Sequence, residues 1–166
     1  MRLFIAINLD DKFRDALVEM QESMRRQGIR GNYTRMENLH LTLAFIGECG
    51  DPDAVNEVLA SIPLESFRLA LRSYGSFGNL YWAGLEDNDK LSAYVKRLRR
   101  ALAEKGIPFD RKFSPHITLL RQASAGLPRL RVSSAAMEVR RVSLMRSERG
   151  KNGMIYTEIG CAESIF

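Results

Sequence analysis

Residues 38–47 read "NLHLTLAFIG" and residues 114–121 read "SPHITLLR". Together they hold the chain's two histidines, His40 and His116, each followed two places later by a threonine, Thr42 or Thr118. The first stretch alternates strictly. Leu39, Leu41, Leu43 and Phe45 fall on one face of a strand, and His40, Thr42 and Ala44 on the other. "PHITLL" reads as a second strand of the same kind, with His116 and Thr118 on one face and Ile117 anchored behind. A groove between two such strands receives two imidazoles and two hydroxyls.

Working outward, "RLFIAIN" near the N-terminus reads as a buried strand. Asp10 or Asp11 can cap the helix that follows, whose apolar stripe is Phe13, Leu17, Met20 and Met24 and whose end is marked by Gly28 and Gly31. "GDPDAVNEVLASI" predicts a short helix with Asp51 as N-cap, Pro52 at the first helical position, and Val55, Val58, Leu59 and Ile62 inward. "SFRLALRSYG" and "NLYWAGLE" read as two strands across a turn. A longer helix over residues 88–105 carries Leu91, Tyr94, Val95, Leu98 and Leu102 inward, with Lys96, Arg97, Arg99 and Arg100 mostly on the solvent side. "MEVRRVSLMRS" and "GMIYTEIG" predict a final hairpin across a mobile polar loop, "ERGKNG". Hairpin-length connections between strands favour an α+β fold with antiparallel sheets over a doubly wound parallel one.

Bulk properties set wide bounds. With 166 residues and no Pro/Gly/Ser-rich linker, residues 1–166 are expected to form one domain. Hydrophobic residues make up 45% and charged residues 27%, the balance of an ordinary globular protein. The formal net charge of +5 fits an anionic partner such as nucleic acid, although a solvated basic surface gives the same number. The pairs Arg111-Lys112 and Arg140-Arg141 read as solvated surface, with guidance of such a partner as the alternative. No stretch has the length of a membrane span or a secretory h-region. Cys49 and Cys161 lack metal or redox spacing and read as free thiols of a cytoplasmic protein.

The repeated motif suits phosphodiester chemistry. A neutral imidazole takes a proton from the nucleophile, an imidazolium gives one to the leaving oxygen, and threonine hydroxyls bond the non-bridging oxygens as charge builds there. Histidine serves both roles because it titrates near neutrality. The chain has only four threonines, Thr34, Thr42, Thr118 and Thr157. Chance would place one two residues after both histidines on the order of one time in 2,000. No Cys or carboxylate stands at ligand spacing beside either histidine, so no metal is expected. The glycine patterns of a serine-hydrolase elbow, a Walker loop or a dinucleotide fold are missing, and no other cofactor is expected.

These segments resemble the 2H phosphoesterase superfamily, and within it the RNA 2',3'-cyclic phosphodiesterases, or 2'-5' RNA ligases of the LigT type. "RLFIAINL" resembles the opening strand, "ENLHLTLAFIGE" the first motif, "YWAGLE" the central tryptophan strand, "FSPHITLLR" the second motif and "SERGKNGMIYTEI" the C-terminal hairpin. The approach to the first motif departs from the pattern: "NYTRMENLH" has Tyr33 near a tryptophan's place and no proline. The resemblance implies a bilobal α+β fold, with two antiparallel sheets lining a central groove and helices outside. It implies metal-free hydrolysis of a terminal RNA 2',3'-cyclic phosphate to a 2'-phosphate, with His40 as proton donor, His116 as proton acceptor, and Thr42 and Thr118 beside them. Nothing in the residues alone breaks the symmetry between the two histidines.

Phe45 and Arg121 each lie five residues after a histidine. An odd offset on an ideal strand puts both on the opposite face, where Phe45 would be core. Twist or a bulge would turn them back. The resemblance points that way for Arg121, as a ligand of the phosphate end or terminal base, and Phe45 would then stack on that base. The expected partner is RNA ending in a 2',3'-cyclic phosphate, met by a monomer away from any membrane. Two alternatives stay open. One is another 2H enzyme for 2'-5' oligonucleotides or small cyclic nucleotides. The other is a non-catalytic RNA-end binding module, which would need neither an acid nor a base.

Overall fold

The computed structural model describes residues 1–165. Strand β1 (Arg2–Asn8) leads into helix α1 (Asp11–Arg26). A two-residue strand β2 (Asn32–Tyr33) and a 3₁₀ turn (Met36–Asn38) precede β3 (His40–Glu48). Then come α2 (Pro52–Ser61), the hairpin β4 (Phe67–Phe77) and β5 (Leu80–Leu85), α3 (Asp89–Glu104), β6 (Ile117–Arg121), β7 (Ala136–Val139), β8 (Arg141–Gly150) and β9 (Gly153–Glu163).

Each helix starts where a side-chain cap satisfies its first amides. Asp10 accepts from Phe13 N at 2.9 Å, Asp51 from Ala54 N at 3.2 Å, and Asn88 from Leu91 N at 3.0 Å. The stripe predicted for α3 is the stripe it buries: Leu91, Tyr94, Val95, Leu98 and Leu102. Arg99 differs from expectation, because it is not on the solvated side; its side chain is only 12% exposed.

The strands form two sheets, with spatial orders β3-β1-β8-β9 and β2-β6-β5-β4-β7. Every pairing in both is antiparallel. The apolar faces of both sheets and the stripes of the helices merge into one contiguous core running through Leu3, Phe13, Leu41, Leu59, Leu98 and Leu119. No helix among the described residues is long and apolar enough to cross a membrane.

The C-terminal part corrects two expectations. "MEVRRVSLMRS" is not one strand: it divides at Arg140, with β7 pairing to β4 in one sheet and β8 to β1 in the other. "ERGKNG" is not a long loop either. The β8–β9 ladder continues to Gly150 opposite Gly153, and only Lys151 and Asn152 form the turn. Gly153, at φ 118°, supplies the backbone conformation that a tight turn after such a ladder requires.

Candidate active site

The motif strands β3 and β6 belong to different sheets, and the residues they present line one cavity of about 250 Å³. His40, Thr42, Phe45, His116, Thr118 and Arg121 all reach it. For Phe45 and Arg121 strict alternation fails, and the pairing register shows why. Ala6 opposes Thr42 and Ile5 opposes Ala44, which leaves Leu43 unopposed; Phe4 then opposes Phe45. Opposed residues share a face. Phe4, Ala6 and Asn8 lie on one side of β1, so Phe45, Thr42 and His40 lie together on that same side. Leu43 and Ala44 are consecutive and both fully buried, as a bulge demands.

The second motif repeats the device. Trp82 opposes Thr118 and Tyr81 opposes Leu120, leaving Leu119 extra, and Leu119 and Leu120 are both buried. Arg121 thereby returns to the face of Thr118. Its place is fixed by its neighbours. Gln122 has φ 57°, the one positive value at a non-glycine among the described residues. Gly31, at φ +150°, packs so closely that a Cβ there would stand 2.7 Å from the Arg121 carbonyl oxygen and 2.8 Å from that of Gln122.

A bulge in an edge strand frees backbone groups that need partners. Arg99 and Asp110 supply them for β3. The Arg99 guanidinium donates to the Leu43 carbonyl at 3.0 Å and to the Asp110 carboxylate at 3.0 Å. That carboxylate accepts from Phe45 N at 2.9 Å, while Asp110 N donates to the Phe45 carbonyl at 3.0 Å. Helix α3 and the segment after it therefore hold the bulge that presents Phe45, which is 38% exposed.

Both histidines are held alike. The Nδ1–H of His40 donates to the Asn38 carbonyl at 2.7 Å, and that of His116 to the Ser114 carbonyl at 2.6 Å. A carbonyl only accepts, so Nδ1 carries a proton in each ring and Nε2 is the nitrogen left to exchange one. Nε2 of His40 lies 2.9 Å from the Thr42 hydroxyl. Each imidazole also meets the edge of an aromatic ring: His40 with Tyr156 at 5.4 Å and 87°, His116 with Phe77 at 5.2 Å and 82°. Phe77 in turn leans on Trp82, whose indole lies over Gly75, where any Cβ would collide with it. Burial pushes the His40 pKa below the ordinary histidine value, against the pull of the Asn38 carbonyl; the positive charges of Arg121 and His116 lower it further.

Sequence reasoning missed several cavity residues: Thr34, Asn38, Asp110, Phe113, Ser114 and Tyr156; Lys112, read as solvated surface with guidance of RNA as the alternative, also lines the cavity. Asn38 and Ser114 had a signal, since each stands two residues before its histidine. Tyr156 had none, being 116 positions from the histidine that its ring meets. No group of three or more His, Cys, Asp or Glu side chains is placed to share a metal ion among the described residues.

A histidine and a threonine from each of two antiparallel sheets, turned into one groove, define the two-histidine phosphoesterases as a class. The sequence matches the family described as LigT like Phosphoesterase over residues 7–82 and 84–156. The chain belongs to that family. It is 35% identical to an RNA 2',3'-cyclic phosphodiesterase of Thermus thermophilus over 95% of this chain and 87% of that one. It is 32% identical to an enzyme of the same name from Aeropyrum pernix, over 84% and 90% of the two chains. The crystal structure of E. coli LigT complexed with 3'-AMP superposes with a TM-score of 0.87 at 26% identity, covering 99% of this chain and 98% of that one.

Proposed function

We propose that the chain hydrolyses a 2',3'-cyclic phosphate at the end of an RNA to a 2'-phosphate, by general acid–base catalysis between His40 and His116 without a metal ion. The observation that carries this reading is the shared groove: two imidazoles with Nδ1 tied to carbonyls and Nε2 left to move protons, each with a threonine beside it on the same face. The names of the relatives, RNA 2',3'-cyclic phosphodiesterases, support the substrate class.

His116 Nε2 takes a proton from water as the water oxygen bonds to phosphorus. The bond from phosphorus to the 3' oxygen breaks, and His40 Nε2 gives that oxygen its proton. The 2' oxygen keeps the phosphate. Thr42 and Thr118 hydroxyls and the Arg121 guanidinium stabilise the charge on the non-bridging oxygens. The order of roles follows the family's motif order. Burial disfavours the charged form of His40 in the free protein, so it takes up its proton from solvent as the substrate binds, because the anionic phosphate opposes the effect of burial and of Arg121. An RNA 5'-hydroxyl in place of water gives a 2'-5' linkage by the same steps. The groove is complete within one chain, which supports action as a monomer.

The test is turnover of adenosine 2',3'-cyclic phosphate and of a short RNA with the same end, in excess EDTA, with the product isomer identified. Formation of the 2'-phosphate supports the reading. No turnover, or a 3'-phosphate product, contradicts it. Selective cleavage of 2'-5' dinucleotides would move the assignment to another substrate of the same chemistry.

A further inference from the structure

The catalytic groove does not end at Arg121. A second cavity, of about 320 Å³, opens beside it and shares Thr34, Asn38, Arg121 and Tyr156 as common wall. Its far side is built by Arg35 and by the β8–β9 turn at Asn152 and Gly153. We propose that this cavity is a subsite for a second nucleotide, the one on the 5' side of the cyclic phosphate end; this rests on the function proposed above.

Three observations carry it. First, the two cavities have unlike linings. Phe45, Lys112 and Phe113 line only the first, where the Phe45 ring is exposed for a base; the second adjoins it across the wall of Thr34, Asn38, Arg121 and Tyr156. A chain whose terminal base lies on Phe45 has that wall to cross into the second cavity.

Second, the lining is that of a nucleotide site. Asn32, Asn38 and Asn152 put amides around the cavity, and an amide offers both a donor and an acceptor to a base edge. Arg121 stands in the shared wall, where the linking phosphodiester has to cross, while Arg35 lines the far side and is ion-paired with Glu37 at 3.4 Å. The Arg121 guanidinium is the charge such a crossing calls for.

Third, the far wall is built rather than accidental. The Arg35 guanidinium donates to the Met154 carbonyl, and the Asn38 amide donates to the same oxygen at 3.0 Å. The approach to the first motif and the hairpin turn are thereby tied together 116 residues apart in sequence. The guanidinium lies against Gly153, whose φ of +118° is one that other residues rarely adopt. The hairpin runs on past the sheet to reach this position, where a shorter turn would leave the cavity open.

The test compares affinities of two probes by calorimetry: adenosine 2'-monophosphate, and the dinucleotide ApA carrying a 2'-phosphate at its end. The dinucleotide is expected to bind about tenfold more tightly, in line with one stacked or hydrogen-bonded base. Asn152→Ala and Arg35→Gln should each reduce that ratio toward one. Asn152 is exposed at the turn, so its variant reads the cavity without disturbing the wall that Arg35 supports. Equal affinities in the unaltered protein, or a ratio that both variants leave intact, would overturn the subsite even if the cyclic nucleotide is hydrolysed. A preserved ratio of affinities in a protein that hydrolyses neither cyclic substrate would keep the subsite and overturn the activity.

Discussion

His40 carries a conflict that experiment can read. Its pKa is lowered by burial against Phe4 and Tyr156, whose rings lie 4.9 and 5.4 Å from it, yet the acid role proposed for it requires a proton. A depressed pKa means that the charged form is lost at lower pH than for an ordinary histidine. The limb of kcat/KM that His40 sets, which reports the free enzyme, should therefore fall on the acid side of that ordinary value. The same limb of kcat should lie at higher pH, because the bound phosphate favours the imidazolium. Tyr156→Ser admits water to the ring and should move that limb upward; a profile that stays in place would show that burial against Tyr156 does not set it. Arg121→Ala should raise KM by roughly tenfold or more, the loss of a charge-assisted contact of about 1.5–3 kcal/mol; unchanged KM and kcat would remove Arg121 from the site. The histidines and threonines were legible because a rare residue repeated in a short pattern is visible without any fold. Tyr156 was not, because only the β8–β9 pairing brings it to the ring it contacts.

At the level of the element, the two bulges decide the site. They were legible only as a possibility, since alternation predicts Phe45 as core and one extra residue, Leu43, reverses it. What sets the extra residue is a long-range clamp, Arg99 and Asp110, that no local pattern encodes. Arg99→Met keeps the stem of the side chain but leaves the Leu43 carbonyl and Asp110 without their donor. It should cost about 1–3 kcal/mol of stability, seen as a lower denaturant midpoint, and should weaken binding of the terminal base. Stability and binding both unchanged would show that the bulge is held by something else. Gly31→Ala is the matching probe of the second motif: the methyl meets two carbonyl oxygens, so a loss of stability with displaced Arg121 and a raised KM is expected. A well-folded variant with normal KM would contradict that coupling. The division of the last apolar run at Arg140 was illegible for a related reason, because nothing in "MEVRRVS" tells which strand belongs to which sheet.

Across the whole molecule, the fold brings together two sheets whose motif residues are 76 positions apart, from His40 to His116. The family's motifs made that arrangement legible early; the net charge of +5 alone did not, since it reads equally as solvated surface. If the groove attracts RNA electrostatically, log Kd for a short RNA end should rise with log salt, by about 0.7 per phosphate neutralised, and Arg121→Ala should lower the slope by about that amount. A flat dependence would leave the surface charge without a role in binding. The central claim is that one histidine from each sheet works on the same phosphate. It is tested most directly by single-turnover rates on a 2',3'-cyclic phosphate for His40→Ala, His116→Ala and the double variant. Each single loss is predicted to cost at least about two decades, and the double loss far less than the product of the two, because residues that act as a unit fail together. Losses that simply multiply, or a single variant that retains near-normal turnover, would contradict the account.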